Sequence, residues 1–352
     1  MNAYLILENG KVFEGTSVGC TDQVIFEMVF NTSMTGYQEV MTDKSYIGQG
    51  VVMTYPLIGN CGVICDSKPE DSRVSAVIVR EIARAGSNFR GDDNDTSEFM
   101  AKYNVAGICG VDTRALTKIL RESGTMNAMI TTNPDFVIEE VLPVIKAFKI
   151  ENPVKDASTK EIYTSGDGRN VVVIDMGSPA VPVKLLNENN FKATVVPYNT
   201  SFNEIIKLAP MGIVVTNGPG NPKDCTETIE TLKEIIKTDI PVLGVSLGHQ
   251  LIALAAGADT AKLKYGHHGA NHPVKEIESG EVYITSQNHI YTVVSDSVDE
   301  SVAKISYINV NDKSVEGMKY VGKKIYTTQF LPETSVGPRN ANKVFDKFVA
   351  AL

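Results

Sequence analysis

Apolar and polar positions alternate in two styles along this chain, and the change of style divides it. Early on, Tyr4–Leu7, Val24–Phe30, Gly50–Thr54 and Val74–Val79 are short apolar runs rich in β-branched residues, the signature of strands. Leu116, Ile119 and Leu120 recur on one face of a helix beginning after Asp112. This half reads as mixed α and β. From Lys149 to Asn170 the sequence is polar and turn-rich with no sustained period, which predicts a linker over residues 151–169 between domains spanning 1–150 and 170–352.

Beyond the linker, strand and helix patterns take turns. Strands are predicted at Val171–Asp175, Ala193–Pro197, Gly212–Thr216 and around Val242. Between them fall helices near Lys184, over Ser201–Leu208, and through Ile229, Leu232, Ile235 and Ile236. Ser201 and Glu204 have the spacing of a capping box. Repeated βα units predict an α/β fold whose sheet is mainly parallel and covered by helices on both faces. Short strands follow at Val282–Thr285, Thr292–Ser295, Ala303–Tyr307 and Lys324–Thr328. Ala341, Val344, Phe345, Phe348, Val349 and Leu352 then mark a terminal docking helix.

Composition narrows the function classes. The 352 residues are 43% hydrophobic and 21% charged, enough to bury two cores of ordinary domain size. A formal charge of −9 without a Lys/Arg block argues against nucleic acid or a membrane surface as partner. Five cysteines without paired spacing suggest reduced thiols and a cytoplasmic setting, and Cys61 with Cys65 cannot complete a four-ligand zinc site. The first residues lack the basic and apolar runs of a signal peptide, and no stretch approaches the length of a membrane span.

The candidate chemistry centres on Ser246, in Pro241-Val-Leu-Gly-Val-Ser-Leu-Gly-His-Gln250. A buried strand running into Gly-x-Ser-x-Gly and then into a helix predicts a sharp elbow that seats a nucleophile beside backbone N–H groups. Asn217-Gly-Pro-Gly-Asn-Pro222 follows another strand, and its glycines let the backbone approach a ligand. That cluster alone is more often a plain turn.

Taken together, the elbow and this glycine loop resemble the class I glutamine amidotransferases. Tyr265-Gly-His-His-Gly-Ala-Asn-His-Pro-Val274 and Ser286-Gln-Asn-His289 narrow the resemblance to the small subunit of carbamoyl-phosphate synthetase. In the first half, Phe30-Asn-Thr-Ser-Met-Thr-Gly-Tyr-Gln-Glu-Val40, Asp43-Lys-Ser-Tyr46, Thr54-Tyr-Pro-Leu-Ile-Gly-Asn60 and Gly110-Val-Asp-Thr-Arg-Ala-Leu-Thr-Lys118 are similar to that subunit's own N-terminal domain. The resemblance covers nearly the whole chain. It implies a subunit that takes nitrogen from glutamine for carbamoyl phosphate, made with bicarbonate and ATP, in pyrimidine or arginine synthesis. It also implies a large partner subunit holding the ATP and Mg, with no cofactor in this chain.

In such subunits a cysteine attacks the glutamine amide, a histidine moves the proton, and a glutamate orients the histidine. Carried over by position, the nucleophile falls on Ser246, the base on Leu331 and the glutamate on Glu333. The five histidines, at 249, 267, 268, 272 and 289, stand elsewhere. A cysteine, with a reference pKa of about 8.5, holds some thiolate at neutral pH, whereas serine needs a base. Losing such a base costs about a millionfold in rate, roughly 8 kcal/mol of barrier. The resemblance further implies a glutamine pocket at Ser45, Gly218, Gly220, Leu247, Gln250, Asn288, Ile290 and Tyr291. Ile290 replaces a glycine, which adds bulk and disfavours positive φ, so glutamine binding is doubtful. Met176-Gly-Ser-Pro-Ala-Val-Pro182 also departs from the usual pattern, with no derived consequence.

Three readings of Ser246 stay open: a small residue tolerated at a tight turn, a hydrolytic serine, or a member of a pocket that binds without turnover. The expectation is a lapsed glutaminase kept as a structural or regulatory subunit. The alternatives are glutamine hydrolysis with an unrecognised base, such as His289 or His249, and a serine hydrolase. No metal is expected: His267, His268 and His272 have no adjoining cysteine or carboxylate cluster, and the family carries them metal-free. Asp92-Asp-Asn-Asp95 lacks the glycine and terminal glutamate of a calcium loop. Asp112 and Arg114 suit either a helix start or an interface, and Glu333 without its histidine suits a structural carboxylate.

Overall fold

The computed structural model describes residues 1–64, 74–83, 96–332 and 343–352. It divides into two compact units, Met1–Glu151 and Asn152–Leu352. Asp92–Asp95, Cys65, Glu333 and Ala341 lie outside the described residues.

In the first unit, seven strands close into a barrel in the order Asn2–Leu7, Val12–Gly19, Ala106–Cys109, Ala76–Val79, Gln49–Met53, Val24–Asn31 and Met126–Thr131. Closure gives every strand two partners, so no edge is left to recruit another chain. Leu5, Ile6, Phe26, Met28, Val51, Val52, Ile78 and Ile130 are among the residues buried here. Asp112 resolves in favour of the helix start: its Oδ1 accepts from Ala115 N at 3.0 Å, capping the helix Thr113–Ser123.

The second unit is built on a ten-stranded sheet. Its parallel half runs Phe191–Pro197, Arg169–Asp175, Gly212–Val215, Val242–Val245 and Ile325–Thr328. These strands read as unbroken apolar runs because both faces are covered. On one side, Val172, Ile174, Ile213, Val215 and Val242 pack with Leu232, Ile235, Leu251 and Ile252. On the other, Val171, Val173, Val214, Leu243 and Val245 meet Val183, Leu186, Val344, Phe345 and Phe348. The capping box at Ser201 and Glu204 forms as its spacing predicts, starting the helix Phe202–Lys207.

The sheet then continues antiparallel through Val315–Tyr320, Ala303–Asn309, Thr260–Glu276 and Val282–Val293. Here the sequence expectation needs correction. The two short strands expected at Val282–Thr285 and Thr292–Ser295 are one strand, Val282–Val293, paired with the seventeen-residue strand Thr260–Glu276. Polar runs such as His267-His268 and Ser286-Gln-Asn-His289 break any apolar alternation, yet these side chains are buried, and His267, His268, Gln287, Asn288 and His289 meet across the two strands at hydrogen-bond distance.

The segment 151–169 is also more than a connector. It contains a short helix, Pro153–Ala157, and an edge strand, Tyr163–Ser165, paired with Phe191–Pro197. Val154 is buried in the second unit's core, and Thr159 N donates to Asp175 Oδ2 at 2.7 Å. Specific backbone bonds to a neighbouring carboxylate, invisible in local periodicity, tie it down.

Among the described residues no two of Cys20, Cys61, Cys109 and Cys225 are joined in a disulfide, and no helix is long and apolar enough to cross a membrane.

Candidate functional site

Ser246 stands at the end of the strand Val242–Val245 and opens the helix Leu247–Ala255. Its backbone is at φ 51 and ψ −103, a region that costs a residue with a Cβ about 1–3 kcal/mol. Two bonds hold it there: Ser246 N donates to Thr328 O at 2.7 Å, and Gln250 N donates to Ser246 O at 3.1 Å. The flanking glycines serve close approach. A Cβ on Gly248 would fall 2.2 Å from Val215 O, and one on Gly244 would fall 2.5 Å from Ile252 Cδ1. The sequence motif is thus the packing requirement of a helix pressed against the strands beneath it.

The glycine loop is equally tight. A Cβ on Gly218 would lie 2.1 Å from Met176 O, and Gly220, at φ +92, would meet Pro153 Cγ at 2.6 Å. Ser178 N donates to Asn217 O at 3.1 Å, joining this loop to the departing segment after Asp175. Gly177 N and Met176 N donate to Asp175 Oδ1 and Thr216 Oγ1, at 2.7 and 2.9 Å.

The Ser246 hydroxyl is buried, and among the described residues its hydrogen-bond partner is Gln329, whose Nε2 donates to Oγ at 3.3 Å. No acceptor takes the hydroxyl's own proton there. Sequence reasoning missed Gln329; a glutamine just past a strand that ends in two threonines carries no local signal of its role. Its Oε1 accepts from Gln250 Nε2 at 2.9 Å, and the same nitrogen donates to Tyr291 O at 2.7 Å. Ser246, Leu247, Gln250, Gln329 and Tyr291 are therefore brought together.

Leu331 takes another course. Its N–H donates to Ser286 O at 2.9 Å in an antiparallel bridge, and its side chain packs on the cluster containing Tyr283, Tyr307 and Phe330. Ile290 is buried within the strand Val282–Val293 and is not at positive φ. The strain anticipated from its β-branch is absent, because the backbone here is extended; the added bulk remains. Asn288, in the same strand, holds His268 Nδ1 through Oδ1 at 2.6 Å. Ser45 is buried in the first unit, where its N–H donates to Asp43 Oδ1 at 2.9 Å.

All five histidines are among the described residues, and none hydrogen-bonds Ser246 Oγ. His249 Nδ1 lies 2.9 Å from Thr327 Oγ1 while Nε2 has no partner, and burial pushes its pKa down to about 3. His289 Nδ1 meets Tyr291 O at 2.8 Å and Nε2 meets Gln287 Oε1 at 2.9 Å. Burial, with the charge of His267 nearby, holds its pKa far below the ordinary value.

His267 is the charged member of the group. Burial pulls its pKa down, but Asp312 at 2.7 Å and Glu316 at 3.4 Å raise it to about 9. Glu316 is fully buried, and its pKa is raised by that burial against the pull of His267. His267, His289 and Glu316 bring donor atoms within 4.8 Å of one another, the set here most able to hold a metal. Their ring nitrogens already face Asp312, Gln287 and Tyr291 O. The two carboxylates come from sequence positions that gave no hint of the histidines they serve.

A strand-elbow-helix with a glycine loop beside it defines the class. The profile described as glutamine amidotransferase class-I matches residues 172–351, and the one described as carbamoyl-phosphate synthase small chain, CPSase domain, matches residues 5–130. The carbamoyl phosphate synthase small chain of Bacillus thuringiensis subsp. konkukian is 44% identical over 354 residues, covering 100% of this chain and 96% of the relative. That of Listeria monocytogenes serovar 1/2a is 43% identical over 351 residues, covering 99% and 96%. Among solved structures, a glutamine amidotransferase from Thermotoga maritima aligns with 52% of this chain and 81% of its own, at 17% identity and a TM-score of 0.40. The chain belongs to the carbamoyl-phosphate synthase small chain family and carries a class I glutamine amidotransferase domain.

Proposed function

We propose that this chain is a carbamoyl-phosphate synthase small subunit whose own glutaminase has lapsed, retained as a structural or regulatory partner of the ATP-using large subunit. The observation that carries the reading is the environment of Ser246 Oγ: an amide N–H points at it, and no described group stands ready to take its proton. Amide cleavage by a hydroxyl needs that acceptor at the moment of attack. At the base position, Leu331 offers a hydrocarbon packed on an apolar cluster. Ile290 adds bulk to the pocket wall, which weakens glutamine binding on the same reading.

The complex would then draw on free ammonia, with ATP and Mg held by the large subunit and no cofactor in this chain. A cytoplasmic location and a role in pyrimidine or arginine synthesis accompany that proposal. The test is to purify the chain with its large subunit and compare ammonia with glutamine as nitrogen donor while measuring glutamate release. Carbamoyl phosphate from ammonia with background glutamate release is expected. Glutamate release at an ordinary glutaminase rate would overturn the reading.

A further inference from the structure

Two buried amides stand between the sheet and the seat at position 246, and a backbone carbonyl decides which way both of them face. Tyr291 is a strand residue paired with Lys262, and its carbonyl only accepts, so the end of Gln250 that lies 2.7 Å from it is the amide nitrogen. The second hydrogen of that nitrogen needs an acceptor. At 2.9 Å it meets Gln329, whose oxygen therefore faces Gln250. The Gln329 nitrogen is left turned toward Ser246 Oγ, at 3.3 Å. Gln329 is itself fully buried, and its backbone N–H donates to Glu316 O at 2.8 Å. The direction of its amide is thus set by the sheet and owes nothing to the residue at 246.

The length of the last bond is informative. An N–H···O bond is ordinarily about 2.9–3.0 Å, so the contact from Gln329 to the serine hydroxyl is stretched. A sulfur atom, carried on a longer bond and larger in radius, closes that gap without moving either residue. The donor stands at the spacing a thiol fills, while the position holds a hydroxyl.

We propose that Gln329 is the hydrogen-bond donor of the nucleophile seat, aimed there by Gln250 as its positioning residue, and that the seat still favours the anion of a thiol placed in it. The inference rests on the reading of the elbow as the nucleophile position, and it is independent of whether glutamine is cleaved. Burial of the seat works against an anion, whereas a donated N–H works for it, so the donor's share is read by removing it.

The experiment places a reporter there. In full-length Ser246→Cys protein, the thiolate is titrated by its ultraviolet absorbance, taken as a difference from the unsubstituted chain. Adding Gln329→Met, which keeps the length of the side chain but removes the N–H, is expected to raise the apparent pKa of the thiol at 246 by about half a unit or more, roughly a threefold fall in thiolate fraction. Adding Gln250→Met instead is expected to raise it by less, because the Gln329 amide can then present either end. Thr328→Val is the packing control: its buried Oγ1 has no partner among the described residues, and its loss is expected to leave the titration unchanged. A smaller shift with Gln329→Met, no rise with Gln250→Met, or an equal rise with Thr328→Val overturns the proposal, the last by showing a general packing effect. If Gln329→Met does not fold, the other two variants still decide it. Glutamate release, measured separately, bears on the proposed function and leaves this outcome untouched.

Discussion

At position 246 the deciding question is where a proton would go. Residues of a catalytic group act as a unit, so restoring one member while others are missing returns little. On the proposed reading of the site, Ser246→Cys alone is expected to leave glutaminase activity near background, since Leu331, packed on an apolar cluster, offers no base and Ile290 carries a bulky buried side chain. Ser246→Cys with Leu331→His and Ile290→Gly is expected to raise glutamate release by several orders of magnitude in the assembled complex. Activity restored by the single change would refute this account of the site. The proposal for these three residues comes from the sequence, because each stands inside a motif whose neighbours fix its position. Gln329 and Glu316 stood out less, since a polar residue among polar and apolar neighbours announces neither its partner nor its burial.

Elements explain why those motifs have the residues they have. Gly248 sits where the helix Leu247–Ala255 presses on the strand Gly212–Val215, and a Cβ would meet a backbone carbonyl at 2.2 Å that cannot rotate away. Gly248→Ala is expected to cost about 1–3 kcal/mol, read as a fall in the urea midpoint of the second unit's transition. Gly244→Ala should cost less, because its nearest contact at 2.5 Å is the end of a flexible Ile252 side chain. Equal losses would mean that close packing does not set these positions. Parallel strands and their helices were read correctly from β-branched runs and capping signals. The pair Thr260–Glu276 and Val282–Val293 was not, because its interior is polar and only cross-strand partners make that tolerable.

For the molecule as a whole, its buried histidines set a pH window. Burial holds His249 and His268 down to about 3 and His272 to about 4, the latter two aided by nearby His267. Each is neutral when folded and gains a proton on unfolding, so its contribution to stability is present above about pH 6.5 and is lost as pH falls toward those values. His267, raised to about 9 against its own burial by Asp312 and Glu316, behaves oppositely: its contribution is complete below about 6.5 and is lost as pH rises through about 9. Stability is expected to peak near neutrality, with the urea midpoint clearly lower at pH 4.5 than at pH 7 and lower again above pH 9. His249→Leu should shallow the acid limb, and a midpoint flat between pH 7 and 4.5 would contradict these assignments. By itself the sequence determined the two-part organisation and the elbow, because short-range patterns and covalent order suffice for strands, turns and motif positions. Only the tertiary structure decided that the first unit closes into a barrel, that residues 151–169 are tied down, and that Gln329, Gln250 and the Tyr291 carbonyl meet beside Ser246. The physical reason is that each of these depends on which donor meets which acceptor across long stretches of chain, and local sequence does not encode that pairing.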